Sequence, residues 1–133
     1  MTIPDTPANT RWLDDVEARA WRALLEVGSG LFDLLSADLK NAAGLTLEDY
    51  EVLHLLSEAP EHSMRVGTLA NAMLTQRTRL SQRLDRLSAR GLVSRSRSVD
   101  DGRAINVELT SGGYEMLAQQ APGHLASVRS RVF

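Results

Sequence analysis

The sequence predicts a mainly α-helical domain that carries one small antiparallel β-hairpin. Apolar residues recur three and four positions apart over most of the chain, which is the period of an amphipathic helix. Two short runs of alternating apolar and polar residues flank an Asp-Asp-Gly turn at 100–102, a pattern typical of a hairpin. At 133 residues, with 43% hydrophobic and 24% charged residues, the chain fits one globular domain.

The first predicted element is one long amphipathic helix over residues 10–41. Gly28 and Gly30 weaken its middle, because glycine is a poor helix former. Bulky residues such as Trp12 and Trp21 give this helix more apolar surface than a small monomer easily covers. We therefore expect a partner chain to cover it.

A second helix is predicted over residues 47–57, opened by a capping box. Thr46 stands at the N-cap position, and Asp49 follows it three residues later. The run at 58–62 predicts a turn, and residues 64–66 predict a very short strand.

Two further helices follow that strand. The first is short, over residues 67–74, with Gly67 as its N-cap. The second begins at residue 75 or 76 and runs to Arg90, after which Gly91 occupies the position where a left-handed residue ends a helix.

The hairpin occupies residues 92–110, and a last helix follows it. Thr110 or Ser111 caps this helix, and Pro122 predicts a kink or break within it. The apolar pattern is incomplete at Phe133, so we expect a further C-terminal segment.

Positive charge is concentrated in one stretch of the chain. Residues 77–103 contain eight arginines and three aspartates, a net charge of +5, although the whole chain has a formal net charge of -2. Such asymmetry suggests a basic face directed at a polyanion. Arginine rather than lysine favours planar, bidentate contacts to phosphate or guanine. The eight arginines are Arg77, Arg79, Arg83, Arg86, Arg90, Arg95, Arg97 and Arg103.

The helix that ends at Arg90 has the pattern of a DNA-reading helix. On a helical wheel Leu80, Leu84 and Leu87 form a buried stripe, and the opposite side is polar. Its arginine, glutamine and threonine side chains suit base edges in the major groove. A short helix joined by a tight turn to a longer one is the helix-turn-helix arrangement. A solvated charged surface is the alternative, but an arginine-bearing hairpin follows directly, which favours DNA binding.

Linked motifs in this region resemble those of the MarR family of bacterial transcriptional regulators. The resemblance covers about residues 44–117. It implies a winged helix-turn-helix fold, mainly α with a small antiparallel β-wing and with N- and C-terminal dimerisation helices. The motifs are Leu69–Ala70, Asp85–Arg86–Leu87, Gly91–Leu92–Val93 with Arg95, Asp101–Gly102–Arg103, and Leu109–Thr110 with Gly113.

The resemblance also implies a domain organisation and a partner. Residues 10–45 and 111–133 would form the helical dimerisation region, and residues 46–110 the DNA-binding lobe, after a disordered lead at 1–9. The implied assembly is a homodimer that binds a double-stranded, pseudo-palindromic DNA operator, usually as a repressor.

Site residues are implied by the same resemblance. In the wing, Asp101 would orient Arg103 toward the minor groove, while Arg95 and Arg97 would hold phosphates. The major-groove residues would be Gln76, Arg77, Thr78, Arg79, Ser81, Gln82 and Arg86.

Two positions depart from the family pattern. Gln76 stands where a Ser or Asp cap is usual, and Arg83 occupies a position that is commonly apolar. We therefore expect either an earlier helix start or extra charge on the helix surface.

A small aromatic or anionic effector is also implied, in a cleft between the dimerisation helices and the winged lobe. Trp21, Tyr50 and His54 are the candidate pocket residues, although each is more often a packed residue.

Several functions are disfavoured by composition. The absence of cysteine excludes disulfides, thiol redox sensing and cysteine-based zinc sites. Three scattered histidines lack the spacing of metal ligands, so neither a metal nor another cofactor is expected. No catalytic pair indicates an enzyme. Without a secretion signal or a membrane span, we expect a cytoplasmic, nucleoid-associated protein. The alternatives are an effector-independent nucleoid-type protein and a protein-interaction module.

Overall fold

The computed structural model describes residues 7–73, 75–100 and 102–133. Its helices and strands follow the predicted order, which confirms a mainly α-helical fold with a small antiparallel sheet. The helices are α1 (Asp15–Glu26), α2 (Phe32–Ala43), α3 (Leu47–Glu58), α4 (Val66–Ala72), α5 (Arg77–Ala89) and α6 (Ser111–Val132); the strands are β1 (Ser63–Arg65), β2 (Val93–Arg97) and β3 (Ile105–Leu109).

Two compact units divide the chain. One extends to Asp33 and the other begins at Leu34, so α2 falls almost entirely in the same unit as α3 to α6 and the sheet. The N-terminal unit exposes large apolar side chains to solvent: Trp12, Leu13, Val16, Trp21, Leu24, Leu25, Val27 and Phe32 are each between 46% and 66% exposed.

The N-terminal helix begins later than predicted because a capping box starts α1. The Oδ1 atom of Asp14 accepts a 2.8 Å hydrogen bond from the N–H of Glu17, and the Glu17 carboxylate accepts one of 3.1 Å from the N–H of Asp14. The prediction of a helix starting at residue 10 is therefore wrong.

The predicted single helix is also interrupted. Val27–Leu31 forms a π-helical turn, and this turn contains both glycines that were expected to weaken the helix. The hydroxyl of Ser29 donates a 2.8 Å hydrogen bond to the carbonyl oxygen of Leu25, which competes with the regular backbone ladder.

The capping box predicted for α3 is confirmed. The Oγ1 atom of Thr46 accepts a 3.1 Å hydrogen bond from the N–H of Asp49, and Asp49 Oδ2 accepts one of 3.0 Å from the N–H of Thr46. Asp49 is itself 7% exposed, so this helix start lies inside the fold.

The helix-turn-helix differs from prediction at both starts. Arg65 is the N-cap of α4, so Gly67 lies inside this helix. Gln76 is the N-cap of α5 and makes no side-chain capping bond, so it precedes the first turn. A Cβ atom at Gly67 would overlap the guanidinium of Arg77, so this side chain lies directly against the backbone of α4.

The wing is the hairpin of β2 and β3, and β1 extends it to a three-stranded antiparallel sheet in the order β1-β3-β2. Arg95 is opposite Val107, and Val93 is opposite Leu109. Because directly opposite residues share a face, the buried face of the sheet carries Val93, Val107 and Leu109, each no more than 5% exposed, and its outer end carries Arg95.

One hydrophobic core joins α2, α3, α4, α5, α6 and the sheet. The predicted stripe of α5 is confirmed, since Leu80, Leu84 and Leu87 are at most 1% exposed. The other buried apolar residues of this core are Leu39, Leu45, Tyr50, Val52, Leu53, Leu56, Leu69, Ala70, Leu92, Val93, Val107, Leu109 and Leu117.

Of the kink or break predicted at Pro122, the break is wrong, because α6 continues to Val132. Proline removes one backbone hydrogen bond, but side-chain contacts beyond it tether the helix. The hydroxyl of Ser127 donates a 2.6 Å hydrogen bond to Asp38 on α2, and Arg131 lies 3.2 Å from the same carboxylate. At the other end, Thr110 caps α6 by accepting from the N–H of Gly113, as predicted.

Within the described ranges, each helix is too short or too polar to cross a membrane.

Candidate nucleic-acid interface

Burial of one stripe decides which side of α5 faces solvent. Since Leu80, Leu84 and Leu87 pack into the core, the residues on the opposite side of the helix must project outward. All seven residues predicted for the major groove are exposed: Gln76, Arg77, Thr78, Arg79, Ser81, Gln82 and Arg86. We call this set the outward face of α5.

The arginines of the outward face have different environments. Arg79 and Arg86 make no hydrogen bond or ion pair with protein atoms in the part of the chain that the structure describes. Arg77 lies against Gly67 of α4. Two guanidinium groups of this face are thus available for an external anion.

The first strand of the wing is tied to α5. Nη2 of Arg95 donates a 2.6 Å hydrogen bond to Asp85, where the side chains are 29% and 64% exposed. Arg97 donates a 3.0 Å hydrogen bond from Nη1 to the carbonyl oxygen of Gly102 in the wing turn. Both predicted phosphate-binding residues therefore use one nitrogen for protein contacts and retain other N–H donors.

A groove of 600 Å³ separates the wing turn from the helix-turn-helix. Three of the residues that line it are arginines: Arg65 before α4, Arg77 in the first turn of α5 and Arg103 in the wing. The predicted pair of Asp101 with Arg103 cannot be described, because Asp101 lies outside the described residues.

Two arginines of the basic stretch bind other groups of the protein, Arg83 at a partly buried contact and Arg90 at an exposed one. Nη1 of Arg83 donates hydrogen bonds of 2.7 Å to both Thr46 and Asp49. Arg90 donates to the carbonyl oxygens of residues 43 and 44. The expectation that Arg83 adds charge to the helix surface is wrong, because its side chain is only 20% exposed and pairs with a buried carboxylate.

The structure does not bring the three candidate pocket residues together in one cavity. A cavity of 180 Å³ lies between α2 and α6, and none of Trp21, Tyr50 and His54 lines it. Trp21 belongs to the N-terminal unit and is 55% exposed. Tyr50 is buried, and its ring lies 6.4 Å from that of His54 and 4.2 Å from that of His124. His124 does line the cavity.

Sequence reasoning missed the polar residues of this cavity. Asp38, Gln120, His124 and Ser127 line it together with Leu39. No local sequence pattern links Asp38 to Ser127, because 89 residues separate them.

Local contacts perturb two ionisable groups of this cavity. The hydrogen bond from Ser127 and the nearby Arg131 guanidinium lower the pKa of Asp38, although burial opposes them. Burial lowers the pKa of His124, with Glu51 opposing and His54 reinforcing the shift. Among the described residues, Nδ1 of His124 is a buried side-chain nitrogen without a hydrogen-bond partner.

The described residues contain no group of three or more histidine or carboxylate side chains that is placed to hold a metal ion.

Comparison with known proteins identifies close structural relatives. The sequence model of the MarR family matches residues 43–104. AbsC, a MarR family transcriptional regulator from Streptomyces coelicolor, is 41% identical with a TM-score of 0.87, over 92% of this chain and 82% of AbsC. Sco3205, a second MarR family regulator from Streptomyces coelicolor and solved in complex with DNA, is 36% identical with a TM-score of 0.91, over 96% of this chain and 79% of Sco3205.

A curated relative has a known regulatory role. YetL, an HTH-type transcriptional repressor of Bacillus subtilis (strain 168), is 33% identical over 85 residues, which is 64% of this chain. The matched region spans 51% of the length of YetL.

Proposed function

The chain belongs to the MarR family of transcriptional regulators, and from this premise we propose that it binds duplex DNA as a homodimer and represses transcription from a pseudo-palindromic operator. The outward face of α5 is the observation that carries this proposal, because its seven polar residues are exposed and Thr78, Arg79, Gln82 and Arg86 lie on the side opposite the buried leucine stripe. The DNA complex of Sco3205 supports the same role here.

We assign α5 to the major groove. A helix of 13 residues is about 20 Å long and fits a groove about 12 Å wide. Arg79 suits the O6 and N7 atoms of guanine, and Gln82 suits the N6 and N7 atoms of adenine. The remaining residues of the outward face supply contacts to phosphate or to a thymine methyl group.

The wing is assigned to the adjacent minor groove, with Arg103 as the inserted side chain. A narrow A·T-rich minor groove has an enhanced negative potential, which attracts a guanidinium group. Arg95 and Arg97 are assigned to phosphates, since each has donors beyond its protein contact. Asp101 is assigned to orient Arg103.

Exposed apolar surface supports a homodimer. The N-terminal unit exposes eight large apolar side chains, and α6 exposes Leu125 and Val132 at 46% and 47%. Surfaces of this kind mark protein interfaces. We propose that residues 10–45 and 111–133 build this interface and that residues 46–110 form the DNA-binding lobe. Sedimentation equilibrium should give twice the chain mass of 14.6 kDa.

A small effector is proposed to tune DNA affinity from the cavity between α2 and α6. Its volume of 180 Å³ suits a single-ring molecule, because a cavity of about 150 Å³ holds benzene. The residues that line the cavity include no lysine or arginine, and Asp38 is already paired with Arg131, so an aromatic ligand fits this cavity better than an anionic one. None of Trp21, Tyr50 and His54 lines this cavity, so they are not assigned to this ligand, although the ring of Tyr50 lies 4.2 Å from that of His124.

In vitro selection from a random duplex library tests the proposed function. We expect enrichment of a two-fold symmetric sequence whose half-sites lie about 10–10.5 base pairs apart. Affinity for this duplex should exceed that for a scrambled duplex by about 10³-fold or more at physiological salt. Equal affinity for all duplexes, with the same steep salt dependence, would favour the effector-independent nucleoid-type alternative instead. Either role would act on DNA in the cytoplasm.

A further inference from the structure

Arg83 joins α5 to the start of α3. Its Nη1 atom donates to Thr46 Oγ1 and to Asp49 Oδ1, both at 2.7 Å. Thr46 and Asp49 already bind each other through the capping box, so the guanidinium adds a third member to a hydrogen-bonded unit. The Asp49 side chain is 9% exposed and that of Arg83 is 20% exposed. Little water competes for these bonds.

Arg90 joins the other end of α5 to the end of α2. Nη2 of Arg90 donates a 2.8 Å hydrogen bond to the carbonyl oxygen of Ala43, and Nη1 donates one of 3.1 Å to that of Gly44. The last carbonyl groups of a helix lack partners within the helix and carry partial negative charge. A cationic side chain is therefore well placed at this end of α2.

The two arginines hold α5 at separate points on one side. Their positions are seven residues apart in the sequence, which puts them about 10 Å apart along the helix axis and within about 20° of each other around it. Hydrogen bonds are directional, whereas contacts of the leucine stripe tolerate small rotations. Two directional attachments separated along an axis therefore restrict both rotation and sliding of α5.

We propose that Arg83 and Arg90 are positioning residues, which fix the rotation of α5 and hence the direction of Arg79 and Gln82 without contacting DNA. This inference rests on the proposed function of α5 in reading DNA. A rotation of about 15° moves a side-chain tip about 6 Å from the axis by roughly 1.5 Å, which is enough to break a hydrogen bond to a base edge.

Stability and positioning are separable at Arg83. Replacing both members of a buried ion pair by neutral residues of similar size is often neutral or stabilising, whereas removing one member leaves an uncompensated charge. The informative variant is therefore the double substitution Asp49→Asn with Arg83→Met. Asparagine keeps an oxygen that accepts from the N–H of Thr46, and methionine keeps the length of the side chain.

The test compares this double variant and Arg90→Met with the wild-type protein. Arg129→Met is the control for Arg90→Met, because Arg129 is an exposed arginine on α6 and the substitution removes the same single positive charge; sedimentation equilibrium first checks that it leaves the proposed dimer intact. The double variant needs no charge control, since it removes one positive and one negative charge. Three quantities are measured for each protein. The first is the ratio of its affinities for the selected duplex and for a scrambled duplex. The others are the salt dependence of binding to the scrambled duplex and the cooperativity of thermal unfolding.

We expect both variants to unfold cooperatively and to lose about fivefold or more of this ratio, the size of one weakened base contact. The salt slope on the scrambled duplex should not change, whereas loss of a direct phosphate contact would reduce it by about 0.9. The inference would be wrong if the affinity ratio is unchanged in both variants. It would also be wrong if the salt slope falls while the affinity ratio stays unchanged.

Two further outcomes are also decisive. If the double variant does not fold, Arg90→Met alone tests the inference. Arg90→Met should fold, because the carbonyl oxygens that Arg90 binds lie at exposed contacts and can hydrogen-bond to water instead. A wild-type protein without a preferred duplex would overturn the proposed function and this inference together. A wild-type preference that the folded variants retain would overturn the inference alone.

Discussion

The carboxylate of Asp85 on α5 and the guanidinium of Arg95 on β2 lie 2.6 Å apart. This ion pair joins the helix proposed to read DNA to the first strand of the wing. Asp85 adds a negative charge beside the outward face of α5, where phosphates are expected, and Arg95 compensates it. The pair therefore holds the wing against α5 and compensates the negative charge of Asp85 on this surface.

Substitution of this pair should affect DNA binding more than folding. Arg95→Ala should weaken binding to every duplex by about 1 kcal/mol, because an uncompensated carboxylate then faces phosphates. Asp85→Ala in the Arg95→Ala background should restore part of the loss. A double-mutant cycle in urea should give a coupling free energy of only about 0.2–1 kcal/mol, as for other solvent-exposed pairs. Failure of Asp85→Ala to restore binding would make Arg95 a direct phosphate contact only.

Arg103→Ala should weaken binding to the selected duplex by about tenfold while leaving folding and dimerisation intact. The reason is loss of the proposed minor-groove guanidinium, which is exposed at the end of the wing. Fluorescence anisotropy with labelled duplex measures the affinity, and Arg129→Ala on α6 serves as the control after sedimentation equilibrium shows that it remains a dimer. Wild-type affinity in Arg103→Ala would rule out the minor-groove assignment.

Arg79→Ala and Gln82→Ala should each relax base preference at one position per half-site, by about 1–3 kcal/mol. Both side chains are exposed on the outward face of α5. Binding to duplexes with every single-base change in one half-site measures the effect. A uniform loss over all of these duplexes would instead identify the side chain as a phosphate contact.

Two glycines of α6 should respond oppositely to alanine. A Cβ atom at Gly113 would overlap the carbonyl oxygen of Leu92, whereas one at Gly123 would meet no atom within 4 Å. Gly113→Ala should therefore lower the free energy of unfolding by about 1–3 kcal/mol through overpacking, and Gly123→Ala should raise it by about 0.5–1 kcal/mol through helix propensity. Urea denaturation measures both. Equal effects would mean that α6 does not pack on Leu92 as described.

Local features of this fold were predictable because the groups that form them are close in the chain. The capping box of Thr46 and Asp49 joins residues three apart, and Gly91 adopts a φ of 72° as expected after a helix end. The leucine stripe of α5 follows from helical periodicity alone. The start at Asp14 was missed, although its capping box is equally local.

By itself, the sequence determined the order of the elements, the buried side of α5 and hence the identity of its outward face. Only the tertiary structure decided which arginines of the basic stretch bind other groups of the protein. Arg83 and Arg90 bind partners 34 to 47 residues away, at the corner between α2 and α3. A helical wheel places both arginines on the flank of α5. It cannot show which residues pack against this flank, because those residues are distant in sequence.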